Sequence, residues 1–180
     1  MNNKTSLYIS NRIFFASVII SVLLISFLAN TSCNIYKFNE ATVPDSIKTV
    51  KVNYIQNRAR YVNPQLSSKL TDKLRQKIVG QTRLSQTNND DADWEITGTI
   101  TDYSLSTSAI SGQREVSNRL TVSVHIVLNK RKDDKVDAFD VTRSFEFPAS
   151  QSLQQAESSL GDEIIRALTD EIFNQVFSNW

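Results

Sequence analysis

The chain has 180 residues, with 20 Lys and Arg against 19 Asp and Glu, for a formal charge of +1. That length supports one domain with a real core and not comfortably two, and the few glycines and prolines exclude a low-complexity chain. The balance of charge excludes a global field that would collect nucleic acid, and the single cysteine, Cys33, excludes an intramolecular disulfide or a Cys-rich metal site.

Residues 1–12 are mostly polar, with Lys4 and Arg12 as their only charged side chains. Residues 13–29 are almost wholly apolar, and small residues lead from them to Cys33. A basic start, a short apolar run and a small-residue exit predict a secretory signal peptide rather than a membrane span. Without Lys4 and Arg12 the mature chain has 18 basic residues against 19 acidic, a net of −1. The stretch Leu28-Ala29-Asn30-Thr31-Ser32-Cys33 resembles a bacterial lipobox, with Thr31 and Ser32 fitting and Asn30 departing from the usual aliphatic choice. The resemblance implies a diacylglyceryl thioether on Cys33, cleavage after Ser32, and acylation of the new amine, which together hold a protein stably on a bilayer. The expected organisation is a signal peptide over 1–32, a lipidated N-terminus and tether over 33–47, and one domain over 48–180. Asn34, where an aspartate would mark inner-membrane retention, favours the outer membrane.

Thr49–Ile55 alternates, with Val50, Val52 and Tyr54 on one side, and predicts a strand. Pro64 opens a helix whose Leu66, Leu70, Leu74 and Ile78 form one apolar stripe, and Gly80 supplies a stop. Thr82–Gln86 reads as a short strand. Trp94, Ile96, Gly98 and Ile100 alternate with Glu95, Thr97, Thr99 and Thr101 in a strand running to about Ser108. A loop over 109–116 follows. Leu120, Val122, Val124, Ile126 and Leu128 alternate with Thr121, Ser123 and His125 in the cleanest strand of the chain, and 129–134 form a charged turn. Val141, Arg143, Phe145 and Phe147 mark a final strand ended by Pro148. Residues 150–177 form the last helix, with Ser152 as N-cap and Leu160, Ile164, Leu168, Ile172 and Val176 as its stripe.

The order β-α-β-β-β-α, with each strand and helix burying one side, predicts an α+β two-layer sandwich: two helices on one face of a mixed four- or five-stranded sheet. The first and second long strands, joined through a helix, are expected parallel, and the rest an antiparallel meander. Arg58, Arg60, Arg114 and Arg119 then fall at the pole far from the tether.

The sequence holds no phosphate loop, nucleophile elbow or HExxH, and one histidine, His125, without a second ligand nearby; no enzyme, cofactor or metal is expected. Two features remain. Thr97, Thr99, Thr101, Thr121, Ser123 and His125 make a neutral, hydroxyl-rich sheet face, which reads either as ordinary solvated surface or as a face meeting a polar protein wall such as a large barrel's lumen. The four arginines read either as a solvated cluster or as contacts for the phosphates of an anionic lipid.

Several short stretches together resemble the LptE-type lipopolysaccharide-assembly lipoproteins: Ser32-Cys33, Asn34-Ile35-Tyr36, Ile47-Lys48-Thr49-Val50, Asn57-Arg58-Ala59, Asn63-Pro64, Gln81-Thr82-Arg83-Leu84, the strand bearing Gly98, Ile172-Phe173-Asn174 and Asn179-Trp180. The resemblance implies a non-enzymatic outer-membrane lipoprotein facing the periplasm. It would plug an LptD-type β-barrel, help it assemble and contact lipopolysaccharide, with Cys33 carrying the anchor. The runner-up is a structural or secretion-pilot lipoprotein of another outer-membrane complex.

Overall fold

The structure is a computed structural model that describes residues 43–111 and 114–177, with the side chains of 109–116 outside the description. The predicted signal peptide, Cys33, most of the tether and Trp180 therefore lie outside the described residues. The elements in chain order are β1 (Thr49–Val52), β2 (Gln56–Asn57), α1 (Leu66–Gln81), β3 (Ser85–Gln86), β4 (Trp94–Ser111), β5 (Arg114–Lys130), a 3-10 turn (Arg131–Asp133), β6 (Lys135–Pro148) and α2 (Leu153–Phe177). The sheet order is β3-β1-β4-β5-β6, with β2 pairing beside β1 on β4. As expected for a strand–helix–strand crossover, β1 and β4 are parallel; β4, β5 and β6 form the antiparallel meander.

One face of this sheet is the core. Val50, Val52, Ile96, Ile100, Leu120, Val122, Val124, Ile126 and Leu128 are buried there beneath Leu70, Leu74 and Ile78 of α1 and Ile164, Leu168, Ile172 and Val176 of α2. Each such side chain contributes roughly 1.5–3 kcal/mol by leaving water. The two helices run in the same direction. Gln65, Leu66 and Lys69 border the same cavity as Glu157, Gly161 and Ile164, and one end further on Lys77 bonds Asp170 at 2.8 Å. Both helices thus begin at the far pole and end at the near pole, where Trp94 stacks on Phe177 at 5.8 Å and Lys130 lies over the Trp94 ring.

Two irregularities change which residues point inward. The first strand breaks after Val52, because an extra residue lies between the β1 pairing (Val52↔Ile96) and the β2 pairing (Gln56↔Thr99). Ile55 takes the inward place expected of Tyr54, which is 55% exposed. Thr71 on α1 holds the break: its Oγ1 accepts the buried Ile55 N–H at 3.0 Å and donates to the Ser67 carbonyl at 2.7 Å. The second is a bulge at Thr101, between the pairs Ile100↔Val124 and Asp102↔Ser123. Beyond it the phase of β4 reverses, so Tyr103 is buried and Asp102 joins the outward row.

The expected loop over 109–116 is shorter than the sequence suggests, since β4 continues to Ser111 and β5 begins at Arg114. The final strand is correspondingly longer, starting at Lys135 directly after Asp134, whose φ of 48° closes the turn. Helix α1 starts at Leu66 rather than Pro64: Asn63 Oδ1 accepts the Gln65 and Leu66 N–H groups at 2.9 and 3.2 Å, and Pro64 rides in that cap. It also runs past Gly80, to be closed by Thr82, whose N–H and hydroxyl both bond the Ile78 carbonyl.

Helix α2 opens with a reciprocal cap. Ser152 Oγ accepts the Gln155 N–H at 3.3 Å, and Gln155 Oε1 accepts the Ser152 N–H at 2.9 Å. Ser152→Ala is expected to lower stability by about 1 kcal/mol in urea unfolding, with the unfolding slope unchanged.

Candidate functional site

The side of the sheet opposite the helices is uncovered by any described element. Its rows follow from register. Thr99 faces His125, which faces Asp140; Asp102 faces Ser123, which faces Thr142; Ser104 faces Thr121, which faces Ser144. Five of the six predicted face residues, Thr97, Thr99, Thr121, Ser123 and His125, lie on this side in regular register, and the structure adds Asp140, Thr142 and Ser144 from β6. Thr101 occupies the bulge, with its hydroxyl reaching the Ser123 carbonyl at 3.4 Å.

Neighbouring side chains across the strands satisfy one another. Thr121 and Ser144 hydroxyls lie 3.0 Å apart, Ser123 and Thr142 2.9 Å, and His125 Nδ1 is 2.8 Å from Asp140 Oδ1. At the far end of the face Arg119 bonds Glu146 at 2.8 Å. At the near end Glu95 accepts from Asn53 at 2.9 Å and Arg131 at 2.6 Å, and these hydrogen bonds, Asn53's first, hold its carboxyl below the usual range. Such a surface is pre-ordered and rich in hydroxyls, with carboxylates only at Asp102 and Asp140 in these three rows, and its groups can exchange hydrogen bonds with another polar wall. His125 stands between Thr99 and Asp140 on a sheet face that no described element covers.

Among the described side chains, Arg58 and Arg60 lie apart from Arg119. The Arg58 N–H bonds the Ile100 carbonyl and its guanidinium bonds Gln56 at 3.0 Å; Arg60 is exposed on the same loop. Arg119 pairs with Ser106, roughly 17 Å further along β4 at about 3.4 Å per residue, and is engaged with Glu146. The side chain of Arg114 lies outside the described residues.

One partly buried polar cluster was not legible in the sequence. At the start of α2, Glu157 accepts hydrogen bonds from Tyr103 Oη at 2.8 Å, Asn63 Nδ2 at 3.0 Å and Tyr61 Oη at 3.4 Å, while the two phenol rings stack at 5.4 Å. Burial, followed by the Glu157 hydrogen bond, pushes the Tyr103 phenol far above its usual value, so it stays a donor. The cluster ties the loop before α1 to β4 and α2, and it depends on the bulge at Thr101 that turns Tyr103 inward. Tyr103→Phe is expected to lower stability by about 1 kcal/mol, measured as a shift in unfolding midpoint. Among the described residues no group of three or more His, Cys, Asp and Glu is placed to hold a metal, and no helix is long and apolar enough to cross a membrane.

The chain is similar to solved structures of bacterial lipoproteins. A minor lipoprotein from Acinetobacter baumannii superposes with a TM-score of 0.50 at 17% identity, covering 74% of this chain and 95% of its own. An uncharacterized lipoprotein B from Nitrosomonas europaea gives 0.48 at 13%, covering 73% and 80%, and the rare lipoprotein B from Shewanella oneidensis 0.44 at 14%, covering 73% and 95%. No curated protein matches in sequence. The fold thus defines the class as a two-layer α+β domain, with two helices on one face of a mixed sheet, shared with a bacterial lipoprotein. The model of the LptE lipopolysaccharide-assembly family matches residues 47–176. The chain belongs to that family, a family of non-enzymatic lipoproteins.

Proposed function

We propose that this protein is an outer-membrane lipoprotein, held by acyl chains on Cys33 and facing the periplasm, that partners and plugs an LptD-type β-barrel in lipopolysaccharide transport and assembly. The observation that carries the reading is the family match over 47–176. The uncovered sheet face supports it, because the lumen of a large outer-membrane barrel is polar and a plug needs a matching polar wall. Thr97, Thr99, Thr101, Thr121, Ser123 and His125 belong to that contact. Arg58 and Arg60 are exposed cations suited to lipid phosphates, and Arg114 and Arg119 belong to the same proposal, with Arg119 having to exchange Glu146 for the phosphate.

Depletion of the protein, followed by assays of surface lipopolysaccharide and of barrel folding, tests the reading: both fall if it holds, and normal levels of both sink it. Purification in gentle detergent should recover an LptD-type barrel; recovery of a different outer-membrane complex instead gives the secretion-pilot reading. Intact mass of the native protein should show a chain starting at Cys33 with added acyl mass, and Cys33→Ala should move the protein out of the membrane fraction.

A further inference from the structure

The two edges of the sheet are treated differently. One ends in β3, a strand of two residues. The other is β6, fourteen residues long, whose outer main-chain N–H and C=O groups meet no described strand. Natural sheets blunt such an edge with bulges, proline or charges aimed at an incoming strand. Here the β5–β6 register is unbroken from Ser117↔Pro148 to Lys130↔Lys135, and the proline comes only at the end. The charges of β6 are all engaged within the chain: Lys135 with Asp137, Asp137 with Lys130, Asp140 with His125, Arg143 with Glu171, and Glu146 with Arg119. The edge is regular and long, and its charged side chains already have partners within the chain, as in a strand awaiting a partner.

We propose that β6 pairs with β6 of a second copy of this chain, antiparallel about a two-fold axis through Thr142, to form one continuous sheet. The side-chain rows select that occupant and that register. With Thr142 opposite Thr142, Asp140 meets Ser144 and Ala138 meets Glu146 on the open face. On the helix face Phe139 meets Phe145, and Val141 meets Arg143. No like charges face each other, and hydroxyl and aromatic pairs of this kind favour pairing. Moving the axis to Arg143 sets Arg143 against Arg143 and Asp140 against Glu146. A slip of a single residue puts the helix layer of one copy on the open face of the other. The interface is self-complementary, as a two-fold contact requires. The pairing is assigned to the protein before it meets a barrel, so its failure leaves the barrel reading intact.

The test uses the full chain, expressed without a partner barrel and purified in mild detergent. Thr142→Cys should form a disulfide-linked dimer under mild oxidation at least ten-fold more efficiently than Ser123→Cys, since Ser123 lies one strand further from the axis, beyond disulfide reach. The native Cys33 is common to both variants and sets the background. Light scattering should give the unsubstituted protein twice the mass of Thr142→Lys, in which two ammonium groups would face each other, with unchanged circular dichroism. Equal cross-linking in the two cysteine variants, or equal mass in the unsubstituted and Thr142→Lys proteins, overturns the proposal; so does cross-linking of Thr142→Cys to a different protein in place of its own copy.

Discussion

Gly98→Val is expected to destabilise the domain by about 3 kcal/mol or more, enough to remove a large part of the stability of an ordinary single domain. A Cβ at position 98 would lie 2.9 Å from Ile55 Cγ1, closer than such carbons approach, and 3.1 Å from Ile126 Cδ1, a contact tight enough that the isoleucine must give way. Ile55 cannot withdraw, because it is buried and its N–H is pinned by Thr71. Ile126 is closed in from the other side. The glycine is thus the recess into which the irregular step between β1 and β2 fits. Gly98→Ala should show a smaller loss of the same kind, and Gly98→Ala combined with Ile55→Ala should lose less than the sum of the two single changes. Denaturant midpoints of the four proteins check this; simple additivity would show that the two sites do not share that space.

Asp93→Ala is expected to cost about 2–3 kcal/mol, and the loss should vanish in acid. Asp93 Oδ2 accepts the Lys48 and Thr49 N–H groups at 2.7 and 3.0 Å, and Oδ1 lies 2.9 Å from Lys132 Nζ. The Asp93 N–H donates to Thr49 Oγ1 at 2.9 Å, and its carbonyl accepts from Arg131. Lys132 also donates to the Ser46 carbonyl. One carboxylate therefore joins the start of β1, the start of β4 and the turn after β5. The Lys132 ammonium and then the Lys48 N–H hold this carboxyl well below its ordinary 3.8. Because the folded value is depressed, the stabilisation is complete above the unfolded value of about 3.8 and drains away as pH falls below it. Asp90, Glu95 and Asp137 are lowered as well and act in the same direction. Asp93→Asn should therefore flatten the fall of unfolding midpoint between pH 4 and pH 2 without abolishing it. A slope equal to that of the unsubstituted protein would show that Asp93 is not a main source of the acid sensitivity.

Both predictions rest on features that alternation alone hides. The apolar stripes of α1 and α2 and the inward rows of β4 and β5 are legible because one-sided burial imposes a period of 3.6 or 2 on the chain. Tyr54 and Ile55 exchange roles because an extra residue between β1 and β2 slips the period, and nothing local to Val52–Gln56 announces the slip. The same is true of Thr101, after which Tyr103 turns inward to meet Glu157, a residue more than fifty positions away. The outward row of β6 could have been found: with Val141, Phe145 and Phe147 inward, Asp140, Thr142 and Ser144 must face the other way. That Asp140 meets His125 and Glu146 meets Arg119 depended on the register set by the turn at 131–134, and that register is a property of the paired strands. Arg58 and Arg60 follow β2 in a loop while Arg119 sits on β5 further along the hairpin, because β4 extends well beyond the point where β2 leaves it.

The shared direction of α1 and α2 has an electrical consequence. Aligned peptide dipoles place roughly half a positive elementary charge at the start of a helix and half a negative one at its end. In a domain with antiparallel helices these contributions cancel; here they add, giving about one positive charge at the end of the molecule where Pro64 and Ser152 lie and one negative charge at the end where Gln81 and Phe177 lie. The helix contribution to the field therefore runs along the length of a body with almost no net charge, and it is felt most at low ionic strength.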